Sequence, residues 1–512
     1  MDAVVLAAGA GTRFRRTAAS CPKPLYPLFG VSLVERALRV ARQAGCRRVL
    51  VVTGYQAEAV ERAVLKAGRP WVEVVRAEGW ERGNGASLLA VRGRVDGPFL
   101  LLMADHLVDP GLVRQALAEA QARRDELLAG GVLLLVDPRL DRVFDLPEAT
   151  KVRTGDGGRR IEAIGKDLGT FDAVDTGIFV ASPALLDELA RLAAGSEAAA
   201  PVVPGAGPPA GSQDRPGDPL PPAGTETVTL TAAAGRLARR GRLGAVPVTR
   251  GWWIDVDDGA ALAQARRLLL DHAAASGGDG PVARWLNRRL SRPLSAWLAS
   301  AGVGPNGATL LAFATTLAGA LAFAAGQPWL GGLLCQAGSV LDGCDGEVAR
   351  LRLEAQPRGA FLDTVLDRYA DAAVVAGLAT GALAAGAGWG VTLALALAAM
   401  AGMPLSALMK DRLQLLRPAT GQGAGAAEAA GGPRTGQPGD GSPRTRRFDP
   451  MRDDPPWLRW IPGNRDGRYF LICLAGLAAA PLAGLAVVAL VSHVLAVGRL
   501  LHGWRALALR QE

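Results

Sequence analysis

The stretch from Asp342 to Asp367 reads DGCDGEVARLRLEAQPRGAFLDTVLD, and it decides the fold expected for the second half of this chain. Its fixed positions follow the spacing D-x2-D-G-x2-A-R-x8-G-x3-D-x3-D, which chance explains poorly over so short a segment. Two of its carboxylates end a charge-free apolar stretch, and the other two begin another. Acidic residues beside segments long enough to cross a membrane are costly, so a metal site is the simplest reason for them.

Helical spacing predicts that the four carboxylates meet. Asp342 and Asp345 are three residues apart, and Asp363 and Asp367 are four apart, so each pair can share one face of a helix. Two such helices facing each other would bring oxygen-rich ligands together, which suits the hard cations Mg2+ or Mn2+. A pair of these ions can clamp a diphosphate. The alternative is a solvated acidic helix end.

The stretch resembles the signature of the CDP-alcohol phosphotransferase family at every fixed position: Asp342, Asp345, Gly346, Ala349, Arg350, Gly359, Asp363 and Asp367. The segment PNGAT, residues 305–309, is similar to the start of that family's first membrane helix. The resemblance covers residues 280–505 and implies a membrane enzyme that transfers a phospho-alcohol from a CDP-alcohol to an acceptor hydroxyl, releasing CMP. It also implies that all four aspartates bind metal and that Asp367 is the general base.

Membrane spans are predicted by three stretches without a charged side chain: Val303–Leu341, Ala372–Met409 and Tyr469–Gly498. A span needs about 20 apolar residues, so three pairs, or about six helices, form the expected all-α polytopic domain. The basic residues lie on one side of these spans, which by the positive-inside rule places both termini and the acidic motif in the cytoplasm. The alternative is an alanine-rich soluble core.

The first half opens with DAVVLAAGAGTRF, a buried strand that runs into a glycine-rich turn. Phe14 stands where a dinucleotide fingerprint has its third glycine, so the turn alone indicates only phosphate contact. Strands are then predicted at 48–53, 72–76 and 98–103, and helices at 32–44 and 56–67. This alternation predicts a doubly wound α/β sheet with its ligand at the carboxyl ends of the strands.

The glycine-rich turn is followed by PKPL, residues 22–25, and together they resemble the signature of nucleoside triphosphate sugar nucleotidyltransferases. Only five of the 57 basic residues are lysines, which favours a specific role for the compact Lys23 ammonium over an ordinary surface position. The resemblance implies that Lys23 is catalytic. It also implies nucleotide binding by Leu6, Ala8, Gly9, Gly11, Thr12, Arg13, Lys23, Asn84 and Ser87.

The same resemblance implies a Mg2+ site made by two acids far apart in sequence. Asp105 follows a buried strand, and Asp257 ends the segment WWIDVD. Lys166, Asp175 and Gly177 match the sugar-phosphate side of the pocket. The alternative for a lone aspartate at a strand end is a turn or cap residue.

The domain order indicates that the first half makes the CDP-alcohol that the second half consumes. This layout is similar to the family of bifunctional inositol-1-phosphate cytidylyltransferases and di-myo-inositol phosphate phosphate synthases. The resemblance implies CTP, inositol 1-phosphate and CDP-inositol as substrates and a plasma membrane location with both active sites cytoplasmic. Another polar alcohol phosphate, or a lipid acceptor as in phosphatidylinositol-type synthesis, is the alternative.

The remaining expectations concern basic residues and boundaries. Arg368, Lys410, Arg412 and Arg465 are candidates for holding an inositol phosphate, or else positive-inside anchors. The net charge of +9 fits a membrane surface better than nucleic acid, because no basic run in the first half is interleaved with aromatic residues. A homodimer through the membrane domain is also expected. The predicted segments are a nucleotidyltransferase domain (1–270) with a disordered insertion (195–225), a linker (271–280) and a membrane domain (281–512) with a disordered loop (417–457).

Overall fold

The computed structural model describes residues 1–15, 21–198, 227–274, 280–415 and 449–508. The chain divides into two compact units, Met1–Arg267 and Leu268–Glu512. Each unit has a hydrophobic core of its own. The first is an α/β unit and the second is helical.

The first unit is built around strands of aliphatic residues. In the described residues these strands are β1 (Asp2–Ala7), β2 (Pro27–Leu28), β3 (Val31–Ser32), β4 (Val49–Thr53), β5 (Val72–Arg76), β6 (Phe99–Met103), β7 (His106–Val108), β8 (Val132–Asp137), β9 (Lys151–Gly155), β10 (Arg160–Gly165), β11 (Ala173–Ala181), β12 (Leu243–Pro247) and β13 (Trp253–Asp255). Nine of them form one sheet in the order β5-β4-β1-β6-β11-β8-β12-β10-β9. The neighbouring strands β1 and β6 are each buried except at one end residue, as VVLA and FLLL predict.

Neighbouring strands from β5 to β6 are parallel, as a doubly wound sheet requires. The other half is mixed, because β11 runs antiparallel to both β6 and β8. β9 and β10 form an antiparallel hairpin whose turn contains Gly157 at φ +66° and Gly158 at φ +86°. A hairpin of this kind pairs its strands antiparallel, so the parallel order cannot continue to this edge.

Helices of the first unit cover the sheet. They are α1 (Thr12–Arg15), α2 (Leu33–Gln43), α3 (Ala57–Leu65), α4 (Asn84–Leu88), α5 (Pro110–Ala122), α6 (Arg124–Leu128), α7 (Ala184–Ala198), α8 (Leu230–Arg239) and α9 (Gly259–Ala274). The predicted strands and helices between residues 32 and 103 are confirmed by α2, α3, β4, β5 and β6. α2 begins where the Ser32 hydroxyl accepts a hydrogen bond from Glu35 N, the N-cap that its sequence favours.

The second unit is helical in its described residues. A π-helical turn (Ala283–Asn287) leads into α10 (Arg288–Ser300), followed by α11 (Pro305–Ala324), α12 (Pro328–Arg352), α13 (Pro357–Ala384), α14 (Trp389–Leu415), α15 (Pro450–Asp453), α16 (Pro456–Arg459), α17 (Arg465–Leu477) and α18 (Pro481–Ala508). Among the described residues, three helices are long and apolar enough to cross a membrane: α11, α14 over Trp389–Gln414, and α18 over Pro481–Arg505. α12 and α13 carry the acidic signature, and α17 has 13 residues.

Glycines let α13 pack closely on α11, and this contact positions the acidic signature. A Cβ at Gly381 would lie 2.5 Å from the carbonyl oxygen of Phe323, and one at Gly377 would overlap the carbonyl oxygen of Ala320. Both glycines are in the helix that carries Asp363 and Asp367. The missing side chains therefore allow backbone contact between helices, as in membrane bundles.

α10 contacts α12 through a buried cluster of polar side chains and also buries Leu298 and Ala299. Glu347 of α12 is 1% exposed and accepts hydrogen bonds from Arg288, Ser291 and Ser295 at 2.6–2.8 Å. Trp297, by contrast, is 63% exposed. An exposed tryptophan among arginines is typical of a helix that lies on a lipid surface.

Three of the predicted boundaries differ from the structure or lie largely outside the described residues. The predicted insertion 195–225 lies outside them except for its first four residues, which continue α7 to Ala198. The predicted linker 271–280 begins inside α9, which continues to Ala274 because its apolar residues remain packed. The predicted disordered loop 417–457 lies outside the described residues except for 449–457, where α15 and the start of α16 lie. There the carboxylate of Asp454, 1% exposed, pairs with Arg499 at 2.8 Å and fixes a proline-rich segment.

Candidate active sites

The first candidate site lies at the carboxyl ends of β1 and β6, which are neighbouring parallel strands in the sheet. The glycine-rich turn follows β1, and Asp105 follows β6. Because parallel neighbours end at the same edge, the turn and this aspartate meet there. The distant acids arrive on a small ribbon, in which β13 pairs antiparallel with β7 and places Asp255 opposite His106.

Lys23 is at the centre of this site, and its side chain is only 6% exposed. Its Nζ donates hydrogen bonds to Asp105 Oδ2 at 2.8 Å and to Asp257 Oδ1 at 2.6 Å. Asp255 Oδ1 lies 3.7 Å from the same nitrogen. Arg13 donates from its terminal nitrogen to the other oxygen of Asp257 at 2.7 Å. The structure thus brings together Lys23, Arg13, Asp105 and Asp257, four of the residues that the sequence predicts.

The charges of the site shift one another's pKa values. Burial disfavours the Lys23 ammonium, but the carboxylates of Asp105, Asp255 and Asp257 hold its pKa above the ordinary value. Burial alone would raise the pKa of Asp105, yet Lys23 and His106 lower it to about 2. The pKa of Asp257 is also lowered, because Lys23 outweighs the effect of burial. At neutral pH the site therefore holds an ammonium among ionised carboxylates, the state that binds phosphate and cations.

His106 connects the ribbon to β11. Its Nδ1 donates to the carbonyl oxygen of Thr176 at 3.0 Å, and its Nε2 lies 3.5 Å from Asp255. Although burial disfavours the charged ring, Asp255 raises the pKa of His106 to about 10. Gly177 has φ +74°, and a Cβ at this position would overlap the imidazole ring. Gly177, which the sequence predicts to bind the substrate, thus makes room for the His106 ring.

The predicted sugar-phosphate residues lie at the rim of the site. Asp175 Oδ1 accepts a hydrogen bond from Gly177 N at 2.7 Å, and burial raises the pKa of Asp175 to about 6. Lys166 Nζ lies 3.4 Å from Glu148, and Arg13 lies 3.5 Å from the same carboxylate. Glu148 therefore connects the exposed Lys166 to the cationic side of the site.

The glycine-rich turn presents backbone rather than side chains. Leu6 and Ala8 are buried at the end of β1, and Gly9 has open space where a Cβ would be. Gly11 has φ +58°, and a Cβ there would lie 2.9 Å from Cβ of Lys23. Thr12 begins α1 directly after the turn. Lys23 thus packs under a turn whose open backbone suits an anion.

The side chains of Asn84 and Ser87 bind within the protein. Asn84 Oδ1 accepts a hydrogen bond from Leu230 N at 2.9 Å, which connects α4 to α8. The Ser87 hydroxyl, 3% exposed, donates to the carbonyl oxygen of Gly83 at 3.2 Å. Asn84 and Ser87, which the sequence predicts to bind the nucleotide, therefore also stabilise the segment that follows β5.

The second candidate site is formed by the acidic signature. Carboxylate oxygens of Asp342, Asp363 and Asp367 lie within 4.8 Å of one another, between α12 and α13. Asp345 is close enough to Asp342 and Asp363 to interact with both electrostatically, and its Oδ2 accepts a hydrogen bond from the Thr309 hydroxyl at 2.9 Å. The helical spacing of the motif thus brings all four aspartates together, as the sequence predicts.

The glycines and the basic residue of the signature lie around these acids. A Cβ at Gly359 would lie 3.1 Å from Asn306 Oδ1, so this glycine makes room for the PNGAT segment. A Cβ at Gly346 would lie 3.1 Å from the Arg350 guanidinium. Arg350 donates from Nε to the carbonyl oxygen of Ala273 at 2.6 Å. Ala349 is half-buried one residue earlier.

One of the four predicted basic residues reaches the carboxylates directly. Arg465, at the start of α17, lies 2.5 Å from Asp342 and 2.7 Å from Asp367. Arg368 lies 3.7 Å from Asp371 and is 45% exposed. The small pocket beside Asp342 and Asp367 is lined, in the described residues, by α11, α12, α13 and α17. Lys410 and Arg412 of α14 are not among its lining residues.

Both clusters fit a divalent cation by their chemistry. The first offers the carboxylates of Asp105 and Asp255, whose oxygens lie within 4.8 Å of each other and of a nitrogen of the charged His106 ring, and the second offers the aspartates named above. Asp255 Oδ1 and Asp363 Oδ1 are buried and accept no hydrogen bond from the described residues. Buried carboxylate oxygens usually have a partner, and a hard cation such as Mg2+ or Mn2+ would supply one.

Each half of the chain matches the model of a known protein family. Residues 3–133 match the family model of the MobA-like NTP transferase domain, and residues 303–421 match that of CDP-alcohol phosphatidyltransferases. The bifunctional IPC transferase and DIPP synthase of Rubrobacter xylanophilus is 36% identical over 393 residues, which cover 76% of this chain and 80% of the relative. The chain belongs to this family. The Aquifex aeolicus bifunctional IPC transferase and DIPP synthase is 33% identical over 377 residues, 74% of this chain and 76% of that protein.

A solved structure is similar to part of the chain. The inositol-1-phosphate CTP transferase from T. maritima has a TM-score of 0.41 and 24% sequence identity, and covers 52% of this chain and 94% of that protein.

Two further acids lie at the candidate sites of this member of the IPC transferase and DIPP synthase family, and the sequence motifs do not include them. Asp255 lies two residues before Asp257 in WWIDVD, but local sequence does not reveal that β13 pairs with β7. Asp371 lies four residues after Asp367, so helical spacing places it on the same face of α13. That spacing was a usable signal.

Proposed function

We propose that this chain makes CDP-inositol and then consumes it. In the first unit, CTP and inositol 1-phosphate give CDP-inositol and diphosphate. In the second, CDP-inositol and another inositol 1-phosphate give di-myo-inositol phosphate phosphate and CMP. The observation that carries the proposal is the 36% identity with a bifunctional IPC transferase and DIPP synthase over 393 residues, which take in both halves. Joining the two activities raises the local concentration of CDP-inositol for the second step.

In the first reaction, a phosphate oxygen of inositol 1-phosphate attacks the α-phosphorus of CTP, and the bond to diphosphate breaks. Lys23 and Arg13 supply fixed positive charge for the triphosphate, and the glycine-rich turn supplies backbone donors. Asp105 and Asp257, together with Asp255, would hold Mg2+, which neutralises phosphate charge and stabilises an in-line transition state. Lys166, at the rim, is placed to orient the inositol phosphate.

In the second reaction, an acceptor hydroxyl attacks the phosphorus that carries inositol, and CMP leaves. Asp342, Asp345 and Asp363 would hold the divalent cations, which stabilise the charge of the diphosphate as its bridging bond breaks. Asp367 takes the proton from the attacking hydroxyl. Arg465 binds the phosphate of the acceptor, since a guanidinium matches phosphate geometry.

We also propose a multi-pass plasma-membrane protein with about six spans, a homodimer, and termini and both sites in the cytoplasm. Three apolar helices support membrane association. The exposed Trp285 and Trp297 support contact with lipid, because aromatic residues favour the membrane interface. We propose a nucleotidyltransferase domain over 1–270 and a membrane domain over 281–512, with a junction that begins after α9.

The alternative acceptor is a lipid or another polar alcohol phosphate. A lipid acceptor would favour a pocket open to the bilayer and poor in arginine. Arg465 and Arg368 beside the acidic cluster instead favour an anionic, water-soluble acceptor.

A fragment of residues 1–274 is expected to be soluble without detergent and to release diphosphate from CTP only when inositol 1-phosphate is present. The physical reason is that the sheet, its core and the Lys23 cluster all lie within this fragment. Diphosphate release and mass spectrometry of CDP-inositol measure the result. The same fragment with Lys23→Met is the inactive control. An insoluble fragment, or a soluble one without activity, contradicts the autonomy of the first unit.

A further inference from the structure

A buried acid outside the signature lies behind the second site. Asp371 is one helical turn after Asp367 on α13, and its side chain is 6% exposed. Aspartates are almost never this buried unless they are paired. The partners of Asp371 therefore indicate its role.

Asp371 is surrounded by groups from the start of α17. The Tyr469 hydroxyl donates to its Oδ1 at 3.1 Å, and Arg468 donates to its Oδ2 at 3.3 Å. Arg465 Nε lies 3.6 Å from Oδ1. Tyr469 and Arg468 are at most 3% exposed, so these contacts are shielded from solvent. One carboxylate thus contacts three side chains of the first turns of α17.

Arg465 is held from two sides. One edge of its guanidinium faces Asp342 and Asp367, and the other faces Asp371. Its charged group also lies 5.1 Å from the centre of the Tyr469 ring. A long side chain with several rotatable bonds loses much entropy when fixed, so its orientation depends on such contacts. Asp371 and Tyr469 make these contacts with Arg465 on the side away from Asp342 and Asp367.

The cluster around Asp371 is suited to an anion. Arg368, Arg465 and Arg468 place three guanidinium groups around the Asp371 carboxylate, and Arg465 also pairs with Asp342 and Asp367. Arg468 Nε is buried and donates to no acceptor in the described residues. Guanidinium groups bind phosphate through paired donors, so their orientation determines affinity.

We propose that Asp371 is a positioning residue, which holds Arg465 in place for the phosphate group of the acceptor. This inference rests on the proposed function of the second unit and adds a specific role outside the acidic signature. Asp371 itself touches neither the donor nor the attacking hydroxyl. Its removal therefore weakens binding of the acceptor more than binding of CDP-inositol.

The test compares full-length Asp371→Asn with the wild type in the second reaction, with CDP-inositol and inositol 1-phosphate both supplied. Loss of a buried charge-assisted contact is expected to raise KM for inositol 1-phosphate about 10-fold or more, with KM for CDP-inositol changed less than about 2-fold. Tyr469→Phe removes one hydroxyl, and we expect a smaller change in the same direction. Glu347→Gln, a buried acid that contacts α10, is the matched control and should not shift the acceptor KM selectively.

Equal changes in both KM values, or a selective acceptor effect in Glu347→Gln as well, would overturn the positioning role. An unchanged acceptor KM in Asp371→Asn would overturn it too. If Asp371→Asn does not fold, Tyr469→Phe decides alone, by a selective rise in acceptor KM or its absence. The wild-type arm separates this inference from the proposed function, since failure of the wild type to release CMP contradicts only the latter.

Discussion

Replacing Asp367 with asparagine is expected to stop CMP release from CDP-inositol while the first reaction continues. Asparagine keeps the shape of the side chain but cannot take the proton of the acceptor hydroxyl. Asp342→Ala and Asp363→Ala should each lower turnover by about 100-fold or more, because a cation that supplies several kcal/mol of transition-state stabilisation loses a ligand. CMP release by purified full-length protein in detergent measures the effect, and a chelator should abolish it.

Asp271→Asn is a suitable control, since that side chain is 63% exposed and lies outside the acidic cluster. It should keep wild-type turnover in both reactions. Asp367→Asn should still bind CDP-inositol, which equilibrium binding of the labelled donor would measure. Turnover of Asp367→Asn at the wild-type rate rules out Asp367 as the base. Full activity in all four aspartate-to-alanine variants contradicts the metal site.

Replacing Lys23 with methionine is expected to lower cytidylyl transfer by about 100- to 1000-fold. The reason is that the buried Lys23 ammonium, which stabilises negative charge on the phosphate of the transferred group, is lost. Lys23 Nζ also holds Asp105 and Asp257 together, at 2.8 and 2.6 Å. Without the ammonium, these carboxylates repel each other and the geometry of the cation site is disturbed. Diphosphate release from CTP measures the loss.

Lys66→Met is the matched control, because Lys66 is an exposed lysine in the same unit and should be replaceable without loss. The Lys23→Met protein should still consume CDP-inositol that is supplied to it. Near-normal diphosphate release by Lys23→Met, or by Asp257→Ala, contradicts the assignment of the first site. Loss of both reactions in Lys23→Met would indicate general misfolding rather than a local effect.

Local spacing predicted the second site better than the first. Asp342 and Asp345, like Asp363 and Asp367, are neighbours on a helix whatever the rest of the fold does, so their meeting depends on one helix contact. The first site depends on strand pairing between residues about 150 positions apart, which no local pattern reveals. Asp255 was missed for that reason. Asp371, in contrast, follows Asp367 by four residues, and this helical spacing correctly places both on the same face of α13.

Specific contacts add what composition and family position do not reveal. A proline-rich end predicts disorder up to residue 457, and in the structure α15 and α16 lie there beside the almost fully buried Asp454–Arg499 pair. Asn84 and Ser87 are predicted from family position to bind the nucleotide, and each side chain also makes a hydrogen bond within the protein. A polar residue in a functional motif can therefore also stabilise the fold of the site.

The most direct test of a single chain that performs both steps is mass spectrometry of the products formed from CTP and 13C-labelled inositol 1-phosphate by the full-length protein. We expect a water-soluble product that contains two labelled inositols and two phosphates, together with diphosphate and CMP. Lys23→Met should yield neither CDP-inositol nor this product, and Asp367→Asn should accumulate CDP-inositol. Accumulation of CDP-inositol by the wild type without a doubly labelled product, or label found only in lipid, would contradict the account.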